Sequence, residues 1–262
     1  MNILVIDFET TGVDPKTCRP IEVGAAIVSN DFKTVHETYS SFIYSHTHPK
    51  ITSEVEELTG ISNDLLVKEG RDPLAVFGDI FDLVEKYDVK YMLAYNREFD
   101  ENVYKEEIRR IGIHENHPHL AKPAILPWLC AMRDVRSHTK YKCWKLSHLA
   151  LDYGVLVDPS VLHRALGDVR LTIALLDKAG ADAETLYRYQ KMPRFVLEAL
   201  TTPPWKDGGV STAKAKEKGY SWEVPRGHQQ MRLPKRWVKV VLEDEINEAL
   251  GETDFQVRKV HI

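Results

Sequence analysis

Ile3-Leu4-Val5-Ile6 is a run of four apolar residues with no polar alternation, and it stops abruptly at Asp7-Phe8-Glu9-Thr10-Thr11-Gly12. Such a run predicts a strand buried on both faces. Side chains two apart in a strand share a face, so Asp7 and Glu9 point the same way. A second strand is predicted over residues 19–28, a turn at Ser29-Asn30-Asp31, and a returning strand over 34–44. Three strands thus open the chain, the first of them central.

Helical periodicity follows. Ser53-Glu54-Val55-Glu56 reads as a capping box for a short helix that Gly60 ends. Asp72-Pro73 starts a better helix, with Leu74, Phe77, Phe81 and Val84 as its apolar stripe. Residues 89–95 predict a strand ending at Asn96, and 98–111 a helix with Val103, Tyr104, Ile108 and Ile111 on one face and Gly112 as its stop. Asp100 then falls in the first turn of a helix after a strand, where open α/β sheets place their ligands. His114, His117 and His119 share a loop broken by Pro118, lack regular ligand spacing, and are taken as surface residues. Residues 124–129 predict the last strand, 146–153 a helix closed by Gly154, and 164–179 a helix with Val169, Ile173 and Leu176 inward and Gly180 beyond. The fold class is α/β: a mixed five-stranded sheet flanked by helices.

After residue 187 the composition changes. Residues 188–241 carry 12 basic against 4 acidic side chains, whereas 1–187 carry 21 against 29. A basic segment beside an acidic domain suits a phosphate-backbone ligand. Pro203-Pro204 and Gly208-Gly209 place a connecting segment over 188–209, and 210–262 reads as a small basic α+β module. In that module Ser211 is the expected N-cap of a helix over 213–218. Residues 220–224 and 236–242 form a hairpin around a loop with Pro225, Gly227 and Pro234, and a closing helix covers 243–250. Trp222 and Trp237 are expected to pack. The competing assignment has Trp205, Tyr220 or Trp222 stacking on bases while Lys214, Lys216, Lys218, Lys235 and Arg236 follow phosphates.

Three cysteines, Cys18, Cys130 and Cys143, make neither a disulfide framework nor a thiolate zinc site. No segment is apolar for long enough to span a bilayer. Asp7 interrupts the amino terminus too soon for a secretory signal, so a cytoplasmic location is expected.

Two carboxylates held together beside an apolar core call for a cation between them, and hard oxygen ligands favour magnesium or manganese. Asp7-Phe8-Glu9-Thr10-Thr11-Gly12, Tyr95-Asn96-Arg97-Glu98-Phe99-Asp100 and His163-Arg164-Ala165-Leu166-Gly167-Asp168, in that order, resemble the three motifs of the DEDDh, or DnaQ-like, exonucleases. Leu58-Thr59-Gly60-Ile61 resembles the segment that connects the first two. The resemblance spans residues 2–180 and implies an RNase H-like fold carrying a 3′-to-5′ exonuclease that releases nucleoside 5′-monophosphates from single-stranded 3′ ends.

It implies further that Asp7, Glu9, Asp100 and Asp168 hold two Mg²⁺ or Mn²⁺ ions, with Asp7 bridging, and that His163 is the general base. Two metals about 3.5–4 Å apart would stabilise both the entering and the leaving oxygen of an in-line attack. By the same resemblance Thr10, Thr11 and Gly12 hold the terminal nucleotide, with Asn96 beside them; Phe99 stacks on a base or packs in the core. Tyr95 departs from the family's commoner histidine, and Cys130 stands near where many relatives carry an aspartate. DNA and RNA substrates both stay open, the latter as 3′-end trimming, and so does a non-catalytic nucleic-acid scaffold on this fold. Many relatives dimerise, which leaves a homodimer open as well.

Overall fold

The computed structural model describes residues 1–112, 117–135, 145–159, 162–223 and 235–260. These divide into two compact units after Gln190.

The first unit is built on a five-stranded sheet in the order β3-β2-β1-β4-β5. β1 (Asn2–Thr10) is its centre, antiparallel to β2 (Pro20–Ser29) and parallel to β4 (Val89–Ala94). β3 (Val35–Phe42) closes one edge, antiparallel to β2, and β5 (Trp128–Cys130) the other, parallel to β4. The pleat of β1 divides the core. Leu4, Ile6 and Phe8 face a cluster that includes Phe77 of α3 (Pro73–Lys86) and Tyr104 of α4 (Arg97–Arg110). Ile3 and Val5 face Val169, Ile173 and Leu176 of the helix Ala165–Lys178. Asp7 and Glu9 continue the second series, so their shared face is the one this helix covers.

The apolar run, the mixed sheet and the helix after β4 agree with the pattern. Three local expectations are corrected. The first short helix, α1 (Ser53–Thr59), is capped by Thr52, whose hydroxyl accepts from Val55 N; the cap lies one residue before the expected box, and a second short helix, α2 (Asn63–Glu69), follows. On α3 the buried stripe is Val76, Phe77, Ile80, Leu83 and Val84, and Leu74 and Phe81 are only partly covered. The loop expected over 114–123 and the strand over 124–129 become a 3₁₀ turn (Pro118–Ala121), a helical turn (Lys122–Ile125) and a β5 of three residues. Pro123 sits at the start of that helical turn, where its missing N–H costs nothing, and Pro127 precedes the strand proper. His114 and Cys143 lie outside the described residues.

One glycine decides where the covering helix sits. A Cβ on Gly24 would lie 2.2 Å from the backbone nitrogen of Leu166 and 2.3 Å from the carbonyl carbon of Ala165, so backbone meets backbone here. Gly24→Ala is therefore expected to force the helix off β2, lowering Tm and metal affinity together. A variant with wild-type thermal midpoint and Mn²⁺ titration would contradict that contact.

In the second unit a four-stranded sheet runs β7-β8-β6-β9. β7 (Ser221–Glu223) and β8 (Arg236–Leu242) form the expected antiparallel pair, though Pro225, Gly227 and Pro234 fall outside the described residues. The stretch expected to connect the units instead contains β6 (Arg194–Leu200), an inner strand, and a ninth strand, β9 (Gln256–Val260), follows the closing helix. Ser211 is not an N-cap. It lies inside the helix Val210–Glu217 and donates to Asp207 Oδ2 and Thr202 O, while Gly209 precedes the helix. Trp222 and Trp237 pair across β7 and β8 with ring centroids 5.6 Å apart. Trp205 is exposed. Among the described residues no helix is long and apolar enough to cross a membrane.

Candidate active site

β1 delivers the first two carboxylates. Asp7 stands opposite Gly24 and Glu9 opposite Glu22 in the pairing with β2. The missing side chain at Gly24 admits the helix Ala165–Lys178, whose first turn carries Asp168. Oxygens of Asp7, Glu9 and Asp168 all lie within 4.8 Å of one another. Asp168 Oδ1 is buried and without a hydrogen-bond partner.

Asp100 is close enough for its charge to bear on Asp7. It is 3% exposed in the first turn of α4, and its Oδ1 accepts from Phe8 N at 3.2 Å. One oxygen is thereby committed to β1. The α4 register that puts Asp100 there also puts Tyr104 against Phe77, at 4.8 Å between ring centroids.

Four acids in one apolar corner repel. Burial pushes the Asp7 carboxyl well above its ordinary range, and the neighbouring charges of Asp100, Glu9 and Asp168 push it further. Burial, then Asp168 and Glu22, raise Glu9 to about 7, against an opposing pull from Arg164. Asp100 is raised to about 8, again by burial first, even though the Phe8 N–H favours its charged form. Asp168 is also raised by burial, offset by the charge and backbone N–H of His163. Such a set of acceptor-only oxygens, one orphaned in the interior, fits a hard divalent cation.

The sign of the pH effect follows. Without a cation, carboxyls raised in the fold bind more protons than they would in the unfolded chain. Their contribution to stability is complete below about pH 4 and is lost as pH rises through 7 and 8. In EDTA, the wild-type Tm is expected to fall relative to Glu9→Gln between pH 5 and 8. Saturating Mg²⁺ or Mn²⁺ should reverse the loss by several degrees, since ligand at about 100 Kd contributes about 2.7 kcal/mol. Parallel Tm curves in EDTA, with no response to either ion, would rule out the carboxylate cage.

His163 is exposed in the turn before the covering helix, with a left-handed φ of 59°. Its influence on Asp168 puts it beside the trio. Of the residues expected at the nucleotide, Thr10 donates to Gly12 O at 2.6 Å, and Thr11 Oγ1 accepts from Arg19 N at 3.0 Å. These bonds tie the turn after β1 down. Asn96 is exposed at the start of α4, its side chain making no capping bond. Phe99 is half-buried and packs against the Phe8 cluster. Cys130 is buried, and its N–H donates to the buried Asp134, four residues past the position where relatives' aspartate was expected.

Sequence reasoning missed Glu22 and Arg164. Arg164 grips Glu22 through Nη2 at 2.7 Å, with Nε at 3.1 Å from the second oxygen. A charged residue near the start of the otherwise apolar β2 was the signal available.

A mixed sheet in this order, with carboxylates from its central strand, an adjoining helix and the covering helix, defines an RNase H-like nuclease fold. The chain belongs to the RNase_T exonuclease family, the DnaQ-like group, whose model matches residues 4–176. It is 34% identical over 111 residues to the 3′-5′ exonuclease DinG of Bacillus subtilis, covering 42% of this chain and 11% of that protein. It is 28% identical over 164 residues to the PolC-type DNA polymerase III of Mycoplasmopsis pulmonis, covering 62% and 10%. The match thus spans about a tenth of the length of these relatives. Among solved structures, Escherichia coli exonuclease I in complex with a dA16 oligonucleotide aligns with a TM-score of 0.62 at 16% identity, over 96% of this chain and 68% of that one. The nuclease domain of 3′hExo, a DEDDh family member bound to rAMP, aligns at 0.55 and 17% identity, over 68% and 90%.

Proposed function

We propose that this chain is a divalent-metal-dependent 3′-to-5′ exonuclease that removes nucleoside 5′-monophosphates from single-stranded nucleic acid, DNA before RNA. The observation that carries the reading is the convergence of Asp7, Glu9 and Asp168 oxygens within 4.8 Å around a buried, unpartnered Asp168 oxygen. The family membership and the name of the B. subtilis relative support the direction of attack. The oligonucleotide complex of exonuclease I supports a single-stranded DNA substrate. The rAMP complex of 3′hExo keeps RNA as the second reading.

Asp7, Glu9 and Asp168 would hold the cations, Mg²⁺ or Mn²⁺, with Asp100 completing the set through the oxygen that does not accept from Phe8 N. Cations so held, two in this reading, supply Lewis acidity, which lowers the pKa of water and offsets charge on phosphodiester oxygens. His163 takes the proton from the attacking water at a ring nitrogen, and Asp168 orients that ring through its charge. The turn Thr10-Thr11-Gly12, pinned by its internal bonds, presents a fixed surface to the terminal nucleotide, with Asn96 and Phe99 at its side.

Strands labelled separately at the 3′ and 5′ ends, incubated with Mg²⁺, Mn²⁺ or EDTA, test the proposal. Labelled mononucleotide is expected at once from the 3′ label, a descending ladder from the 5′ label, and neither in EDTA. Early mononucleotide from the 5′ label would reverse the polarity. Tight binding with no cleavage in either ion would favour the scaffold.

A further inference from the structure

We propose that Glu22 and Arg164 act together as a positioning clasp that fixes the His163 imidazole and the Asp168 carboxylate against β1. The inference rests on the exonuclease reading, in which His163 is the base, and adds two residues outside the three motifs' metal ligands and base.

The Glu22 carboxylate is 2% exposed and fully used. Oε1 accepts from Arg164 Nη2 at 2.7 Å and Nε at 3.2 Å; Oε2 accepts from Arg164 Nε at 3.1 Å and from the backbone N–H of Ala165, also at 3.1 Å. One strand carboxylate therefore holds both the side chain at the helix N-cap and the first N–H of the helix. Arg164, in extended geometry at that cap, makes no capping bond of its own to the helix with its side chain. Its carbonyl accepts from Asp168 N at 3.0 Å, which links the clasp to the ligand-bearing turn.

His163 immediately precedes this anchored pair in a left-handed conformation. For a residue with a Cβ that conformation is disfavoured and persists where the surroundings over-determine it. The two residues after it are locked to β2, and Gly24 brings the helix backbone into contact with the same strand. The pairing Glu9↔Glu22 sets the clasp beside the cage. A bidentate guanidinium–carboxylate pair gives the geometric definition that a lysine would not.

The test compares Arg164→Ala, Arg164→Lys and Glu22→Gln with wild type. Misplacing a catalytic group by about 1 Å costs about 10²-fold, so Arg164→Ala should lose about that factor in kcat with KM within about threefold. Added guanidinium ion should restore part of the rate, added methylammonium should not, and Arg164→Lys should stay slow. A second readout is independent of activity: in histidine-labelled NMR spectra, the resonance missing from His163→Ala should shift or broaden in Arg164→Ala and in Glu22→Gln while other histidines hold. Glu22→Gln serves if Arg164→Ala does not fold. Unchanged kcat, a change confined to KM, or an unmoved His163 resonance would overturn the clasp. If the wild-type protein releases no mononucleotide, the functional reading fails and the His163 resonance alone decides this one.

Discussion

Asp7→Asn is expected to lower turnover by about 10³-fold or more while the metal-free protein becomes more stable. Asp7 lies at the meeting point of the cluster, with Asp100, Glu9 and Asp168 all pressing on its charge. The substitution replaces one carboxylate oxygen by an NH₂ and removes the negative charge that would attract a cation, and cation stabilisation of a phosphoryl transition state is worth several kcal/mol, each 1.36 kcal/mol being tenfold in rate. The same substitution removes a buried like charge. In EDTA at pH 8 the Tm should therefore rise, whereas in saturating Mg²⁺ wild type should gain more than the variant. Rate measurements and calorimetry on the two proteins check both halves. A variant retaining a tenth of wild-type activity would dismiss Asp7 as a ligand.

His163→Ala is expected to slow cleavage by about 10²–10⁴, the range for losing a general base. The residue is exposed, so Tm, Mn²⁺ affinity and strand affinity should stay near wild type. Steady-state rates over pH 5 to 9, with binding followed by fluorescence anisotropy in Ca²⁺, would show this. A variant as fast as wild type would put the proton on another group.

The central strand was legible because the unbroken run Ile3 to Ile6 suits a doubly buried strand better than an edge strand or a surface helix, and its period put Asp7 and Glu9 on one face. The helices carrying Asp100 and Asp168 were legible from their glycine stops and apolar stripes. The short β5 was not. Three residues carry too little pattern, and the prolines around them serve a helical turn as readily as a strand. β6 was hidden between Pro193 and the Thr201-Thr202-Pro203-Pro204 run, so a buried inner strand read as connecting chain. Glu22 escaped notice for a different reason. Its partner lies 142 residues away, and no local pattern records a pairing made by folding.

The three clustered carboxylates come from two places far apart in the chain, and the second docks only where Gly24 leaves room. A growing polypeptide that has not yet released the helix Ala165–Lys178 from the ribosome holds Asp7 and Glu9 without Asp168 or His163. At about 5–20 residues per second, the interval between making the first carboxylates and completing the centre is many seconds. Throughout it the nascent chain carries Asp7 and Glu9 with the third acid of the cluster still to come.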